Sequence, residues 1–420
     1  MTVSRRGAAA SRSLSCSAPA LLVASLLTVA CAEGGDEDRP ESEVLVQASH
    51  HLFALLSVAE FSEFPLNPGE AGFDRGILVM QDDGRYRVSR DGQTSDTDDY
   101  ALEESGALSI FVNQGARRPI IRFSGAYGLQ GDTGRYYFTD RFSTTEAPAI
   151  GLFWGTRIVS GAPNLEGAWH VFSQHLIYGT ASSLLDPNNV GRTLGGRLSI
   201  DSAGMVAGVG VQSGGVNVDL SGTAQGFADS RADLNLVYAD PQVTDTRAFF
   251  CGVDRNLMLG VDEDEADGES GLIALVRHRT TAADRSALAG TYHLGVHTVF
   301  VSPSRPGTDV AQGTLTFNAT GGFSLEAVGA DGESFSYSGT YLLADDGALS
   351  LSVPGTNENW RGAVDQDYRT VVVADAFIED RTAPKPPELN LFFGIREVPA
   401  PVTPALVPGE ASGAAPDAPR

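Results

Sequence analysis

Few side chains in this 420-residue chain could carry chemistry: seven histidines, three cysteines, fifty-three acids and, among the bases, a single lysine at Lys385. His293 and His297 are four apart and on a strand would share one face, the spacing of a metal-ligating pair. His170 and His175 are five apart and would fall on opposite faces. A zinc site needs three or four converging ligands. The sequence offers no third, so no metal and no cofactor is expected. His51, His170 and His293 stand at corresponding places in three repeated units. They read either as a reused ligand position or as imidazoles that cap backbone groups at a strand start. The structural role is preferred, because copies of a unit share their framework residues.

Other chemistries find less support. The acid run Val261-Asp262-Glu263-Asp264-Glu265-Ala266-Asp267-Gly268-Glu269 has Ala266 where a calcium loop wants an acid, and reads as a solvated loop. No Gly-x-Ser-x-Gly elbow is present, and Ser213 and Ser221 lie in glycine-rich strands without a placed histidine and acid. A lone lysine in a proline-rich stretch cannot serve a Walker loop. Cys251, in the apolar run Ala248 to Val253, reads as a structural thiol. Taken together the residues lean against an enzyme.

The elements that must position these residues repeat three times, with a period of about 120 residues that exceeds the roughly 20–50 of solenoid repeats. The copies carry Gly76-Ile77-Leu78-Val79-Met80, Gly196-Arg197-Leu198-Ser199-Ile200 and Gly313-Thr314-Leu315-Thr316-Phe317, followed by turns at Gly84, Gly204 and Gly321. Each copy closes on an apolar run ending in arginine, at Arg157, Arg277 and Arg396. A unit of that length can bury its own core.

Within a copy the pattern is strand after strand. Phe323 and Leu325 alternate with Ser324 and Glu326, and Leu349, Leu351 and Val353 alternate with Ser350 and Ser352. Period-two alternation marks strands, and Ala344-Asp345-Asp346-Gly347 and Pro354-Gly355 mark turns. Residues 45–61 have some helical character, although their place in the repeat matches a strand. The fold expected is all-β: three tandem antiparallel β-barrel or β-sandwich domains of about eight strands each. Their spans are 45–160, 161–279 and 286–397.

Copies two and three open on Gly167-Ala168-Trp169 and Gly290-Thr291-Tyr292 and close on Arg277 and Arg396. This layout resembles the calycin superfamily of lipocalin-like barrels, where a Gly-x-Trp opens the first strand and a late arginine packs across the tryptophan. The resemblance implies eight-stranded up-and-down barrels around a small apolar cavity. Copy one departs, with Ala48-Ser49-His50 in place of Gly-x-Trp. Arg396 also falls on the face opposite Leu391, Phe393 and Ile395, so stacking on Tyr292 would require a bulge or a frayed strand end.

The first thirty residues read as a secretory signal: Arg5, Arg6 and Arg12 without an acid, then an apolar stretch from Ala18 to Ala30 too short to span a bilayer. Thr28-Val29-Ala30-Cys31 resembles the bacterial lipoprotein signal, which implies acylation of Cys31. Ala32 after the cysteine leans toward the outer membrane over the inner one. Residues 31–44 then form an acidic tether, and 398–420 a disordered tail rich in proline and alanine.

The formal charge is −24. Without the signal's three arginines, 26 bases face 53 acids, a balance of −27. That balance opposes nucleic acid and anionic lipid headgroups. The expected partners are therefore a membrane, through the lipid, and an unknown protein or apolar small molecule. The expected function is a lipid-anchored, extracytoplasmic binding module. A structural or adhesive envelope protein without a pocket is the alternative, with a hydrolase of unrecognised site behind it.

Overall fold

A computed structural model describes residues 42–398 with interruptions, the longest at 60–70, 113–120, 143–148, 178–190, 263–268 and 379–387. The described chain is twenty-five strands and one short helix. The first unit contains β1 (Ser49–Ala59), β2 (Ala71–Met80), β3 (Arg85–Arg90), the two-residue β4 (Gln93–Thr94), β5 (Asp98–Leu102), β6 (Ala107–Val112), β7 (Ile121–Tyr127), β8 (Tyr136–Phe142) and β9 (Ala149–Arg157). The second runs through β10 (Gly167–Ile177), β11 (Gly191–Ile200), β12 (Met205–Gln212), β13 (Val216–Gly226), β14 (Arg231–Ala239), β15 (Gln242–Cys251), β16 (Leu257–Asp262) and β17 (Glu269–Arg277). The third follows α1 (Arg285–Leu288) with β18 (Gly290–Ser302), β19 (Arg305–Phe317), β20 (Gly322–Gly329), β21 (Ser334–Leu343), β22 (Ala348–Ser352), β23 (Glu358–Val364), β24 (Thr370–Ile378) and β25 (Glu388–Arg396).

The second and third units are closed barrels in which each strand pairs antiparallel with its sequence neighbours and the last pairs with the first. In the first unit the pairings also run full circle, with β1 bonded to β2 and β9 and β3 bonded to β2 and β5. The units are thus barrels and not sandwiches, and among the described residues no ladder crosses from one unit to another. Within the stretch 45–61 that has some helical character, Ser49–Ala59 forms β1 instead, where hydrogen bonds to two neighbouring strands outweigh a weak local preference. The repeated turns are built alike. Gly84, Gly204 and Gly321 all take φ between +79° and +97°, a region that glycine enters without steric cost.

Each barrel has its own filled interior. Leu78, Tyr86, Ile110 and Tyr136 belong to the first, Trp169, Leu198, Leu236 and Met258 to the second, and Tyr292, Leu315, Tyr341 and Trp360 to the third. A fourth core lies outside all three. Trp154 and Leu152 of the first barrel, Phe172, Leu259 and Leu272 of the second, and Leu391, Phe393 and Ile395 of the third are buried together. The closing strands are therefore apolar on both faces, and β25 is buried from Leu389 to Ile395.

This shared core resolves the parity problem of Arg396. The Leu391, Phe393 and Ile395 face points outward into the junction, while Phe392 belongs to the barrel interior. Arg396 shares the inward face with Phe392, so it reaches Tyr292 without a bulge or a frayed end.

The three barrels meet cyclically. The opening strands β1 and β2 touch β16 and β17 of the second barrel; β10 and β11 touch β24 and β25 of the third; β18 and β19 touch β8 and β9 of the first. The first two strands of one barrel meet the last two of another at all three joints. Polar groups mark two of them. Gln174 Nε2 donates to the carbonyls of His297 and Leu389, at 3.0 and 2.7 Å, between the second and third barrels. Arg135 of the first barrel is ion-paired with Asp365 of the third, and both are fully buried.

Candidate functional site

The closing arginines seal the barrel ends. Trp169 and Arg277 are register partners across β10 and β17, and the guanidinium carbon sits 4.2 Å from the indole centroid. Arg277 also donates to the carbonyls of Glu166, at 2.6 Å, and of Asn164. In the third barrel Arg396 lies 5.8 Å from the Tyr292 ring and donates to the carbonyls of Ala287 and Ala289, each at 2.6 Å. Both aromatic residues bond to the carbonyl four residues upstream: Trp169 Nε1 to Leu165 at 2.9 Å and Tyr292 Oη to Leu288 at 3.3 Å. The opening glycines fit the same device. Gly167 and Gly290 take φ +131° and +147°, and a Cβ there would meet the arginine at 2.9 or 3.0 Å. A cation over an aromatic face strengthens as water is excluded.

In the first barrel His51 stands opposite Arg157, as Trp169 and Tyr292 stand opposite Arg277 and Arg396. The equivalence of His51 with His170 and His293 is therefore corrected by one residue. His51 takes the aromatic plug position, and Leu52 is the counterpart of the other two. The partner strand gives the same frame, with Leu78, Leu198 and Leu315 opposite His51, Trp169 and Tyr292. His51 is fully buried, its ring between the edges of Tyr127 and Tyr136, with Nε2 2.8 Å from Ser49 Oγ and Nδ1 3.1 Å from the Gly134 carbonyl.

His170 and His293 face outward and engage the next barrel. His170 Nε2 lies 3.1 Å from the Asp346 carbonyl, and His293 Nε2 lies 3.2 Å from the Ser105 carbonyl. The two carbonyls belong to equivalent turns, just before Gly347-Ala348-Leu349 and Gly106-Ala107-Leu108. Backbone bonds repeat the match: Arg279 N donates to Asp346 O at 2.9 Å and Val398 N to Ser105 O at 3.1 Å. The second barrel docks on the third as the third docks on the first. His293 and His297, whose spacing matched a metal-ligating pair but for which no metal was expected, are split between different neighbours. His297 is fully buried in the junction, with Nδ1 2.5 Å from Gln174 Oε1. His175 turns to Ser173 Oγ at 2.8 Å.

A third histidine meets His170 instead. His278, one residue beyond β17, stacks on the His170 ring with centroids 4.0 Å apart. Asp346 completes the group, and one donor atom from each of the three lies within 4.8 Å of the others. The Asp346 carboxylate is 2.9 Å from Arg197 through Oδ2 and 4.0 Å from His170 Nε2 through Oδ1. Burial, and then the neighbouring His278, push His170 down to about 4. Burial also lowers His278. Burial of Asp346 works to raise its carboxyl, but the Ala348 N–H and the nearby imidazoles and Arg197 outweigh it and hold the group below its ordinary value. Both imidazoles are then neutral at pH 7 and keep a lone pair for a ligand.

His170 also lines a cleft of about 630 Å³ between the outer walls of the second and third barrels. Val209, Val211 and Asn217 contribute from one side and Ser350, Asn359 and Arg361 from the other, with Arg197 beside the histidine. A smaller cavity of about 220 Å³ sits at the open end of the third barrel, between Asp309, Glu333, Tyr337 and Glu388. Sequence could not reach the His170 group. His278 stands directly after the closing arginine where the third unit has Glu397, and Asp346 reads as a turn residue. Cys31 and acid-run residues 263–268 lie outside the described residues, as does the side chain of Cys251.

The fold defines an all-β chain of three up-and-down barrels with a cleft at one inter-barrel joint. No family model matches it, and no curated protein does. Among solved structures it is similar to a transferrin-binding protein B mutant from Haemophilus parasuis, at 9% identity and a TM-score of 0.29, covering 84% of this chain and 77% of that one. It is also similar to the isotype 1 transferrin-binding protein B of serogroup B Neisseria meningitidis, at 11% identity and a TM-score of 0.26, with 86% and 78% covered. A protein of unknown function from Nostoc punctiforme matches at 14% identity and a TM-score of 0.23, with 55% and 96% covered. No helix among the described residues is long and apolar enough to cross a membrane.

Proposed function

We propose that the chain is an exported, lipid-anchored binding module whose ligand seats in the cleft between its second and third barrels. The observation that carries this reading is the placement of space. The barrel interiors are occupied by their own large side chains, whereas the cleft offers about 630 Å³. Small-molecule sites run to roughly 300–1,000 Å³ and favour domain interfaces. The cleft therefore replaces the barrel interior as the seat of the ligand.

Its walls suit a polar ligand carrying a carboxylate. Arg361 and Arg197, the latter also paired with Asp346, bring guanidinium groups into a protein that is otherwise strongly acidic, Asp219 adds one acid, and Asn217, Ser350 and Asn359 add neutral partners. Val209 and Val211 supply an apolar strip beside them. The export and anchoring half of the proposal rests on the signal-like segment and Cys31.

The test is a thermal-shift screen of the purified chain against amino acids, short peptides and sugar acids. Hits are repeated on Val209→Arg, which fills the cleft from a residue 60% exposed, and on Val328→Arg, exposed elsewhere. The expected result is a ligand whose stabilisation disappears in the first variant and persists in the second. A panel without hits, or hits indifferent to Val209→Arg, contradicts the reading.

A further inference from the structure

We propose that His170, His278 and Asp346 form a binding site for one divalent transition-metal ion of the zinc class, joining the second barrel to the third beside the cleft. The donor set is two imidazoles and a carboxylate, which suits zinc and its neighbours. One donor atom from each lies within 4.8 Å of the others. Tetrahedral ligands at about 2.0–2.1 Å from zinc stand roughly 3.4 Å apart, so small side-chain rotations bring the three onto one ion.

The backbone beneath them is fixed. His170 lies within β10, His278 N donates to Ala168 O at 2.9 Å, and the Asp346 turn is held by Arg279 N. Arg197 holds Oδ2 of Asp346 at 2.9 Å and leaves Oδ1 toward His170. Such an outer partner orients a ligating carboxylate. The His170 ring would bind as its Nδ1–H tautomer, giving up the contact of Nε2 with the Asp346 carbonyl.

Two further observations point to a ligand. Nε2 of His278 is buried with no hydrogen-bond partner. A buried polar atom left unpaired is destabilising, and a metal ion would accept its lone pair. The equivalent joint between the third and first barrels docks through the same backbone bonds but carries His293, Glu397 and Ser105 at the matching positions. Docking therefore does not need the His170, His278 and Asp346 trio. With three protein ligands a fourth position remains, and His170 borders the cleft, so water or a ligand carboxylate can reach it.

The inference does not depend on the cleft reading, because its test contains no organic ligand. The tag-free chain is titrated calorimetrically with zinc chloride, and separately with cobalt(II) followed by visible absorption. The expected result is one equivalent of zinc and the ligand-field bands of a four-coordinate cobalt site with nitrogen donors. His278→Gln and Asp346→Asn should each weaken uptake at least tenfold, and His293→Gln should leave it unchanged. Circular dichroism checks that each variant is folded. No uptake by the unaltered chain, uptake that survives both variants, or a cobalt spectrum of six oxygen donors overturns the proposal. The spectrum decides the matter even where a variant does not fold.

Discussion

Phe393 of the third barrel stands edge-on to Trp154 of the first, with ring centroids 5.6 Å apart and an interplanar angle of 72°. Neither ring belongs to a barrel interior; both lie in the core that the three outer walls share. Tyr137 adds a second edge contact to Phe393 at 6.1 Å. Residues far apart in sequence thus bury one another between modules that are each complete as barrels. The joints are equivalent in their strands yet different in their polar groups, and that difference is where function has room to enter.

The barrel seal predicts an asymmetry between two conservative changes. Arg277 stacks on Trp169 and donates to three carbonyls, those of Asn164, Glu166 and Arg255. Lysine keeps the charge but loses the planar fork. Arg277→Lys should cost about 1–2 kcal/mol in urea unfolding and Arg277→Ala somewhat more, with a change in the near-ultraviolet signal of Trp169. A lysine variant as stable as the original would show that charge alone suffices.

The buried pair between the first and third barrels makes a sharper prediction. Asp365 holds Arg135 through one oxygen and the backbone N–H groups of Arg369 and Thr370 through the other, at 2.8 and 3.2 Å. Removing one member of a buried pair strands its partner, at about 3–5 kcal/mol. Asp365→Ala and Arg135→Ala should each lose stability on that scale, and the double variant should lose much less than their sum. Additive losses would mean that the two groups do not interact energetically.

Acid should loosen the junction. Burial pushes His297 down to about 4 from an ordinary value near 6.5. Between these values the unfolded chain binds a proton that the folded chain refuses, so stability falls as pH drops from about 6.5 to about 4 and is unaffected by this group above 7. Two and a half pH units correspond to roughly 3 kcal/mol. Melting temperatures recorded across that range should decline, and less steeply in His297→Gln. An unchanged slope in the variant would assign the acid sensitivity to other groups.

The anchor is tested by partition. Mature protein from an expressing bacterium should enter the detergent phase, and its amino-terminal peptide should carry the mass of lipid on Cys31. Cys31→Ser should move the protein to the aqueous phase. An unmodified first residue on a processed chain would remove the lipid from the account.

Strand and turn positions were largely legible because alternation and glycine turns are local signals. The arginine seal was legible too, since it repeats at similar distances from Gly167 and Gly290. The parity of Arg396 was read correctly, but the bulge or frayed end drawn from it was not needed, for a physical reason. A strand buried on both faces carries no mark of which side is the barrel interior, and the Leu391, Phe393 and Ile395 face went to the junction. The one-residue shift of His51 was settled only by register with Arg157. The meeting of His170, His278 and Asp346 depends on how one barrel docks on another, which no periodicity within a unit encodes.

The shared junction is the claim on which the rest stands, and the chain supplies its own reporters. Of its three tryptophans, Trp154 lies in the first barrel, Trp169 in the second and Trp360 in the third. Single-tryptophan versions, with the other two changed to phenylalanine, are unfolded in urea with and without Phe393→Ala, a truncation that typically costs about 3–5 kcal/mol. The account predicts that the midpoint reported by Trp169 falls together with those of Trp154 and Trp360. If Trp360 alone moves while Trp169 holds its midpoint, the barrels are independent modules and the common core is contradicted.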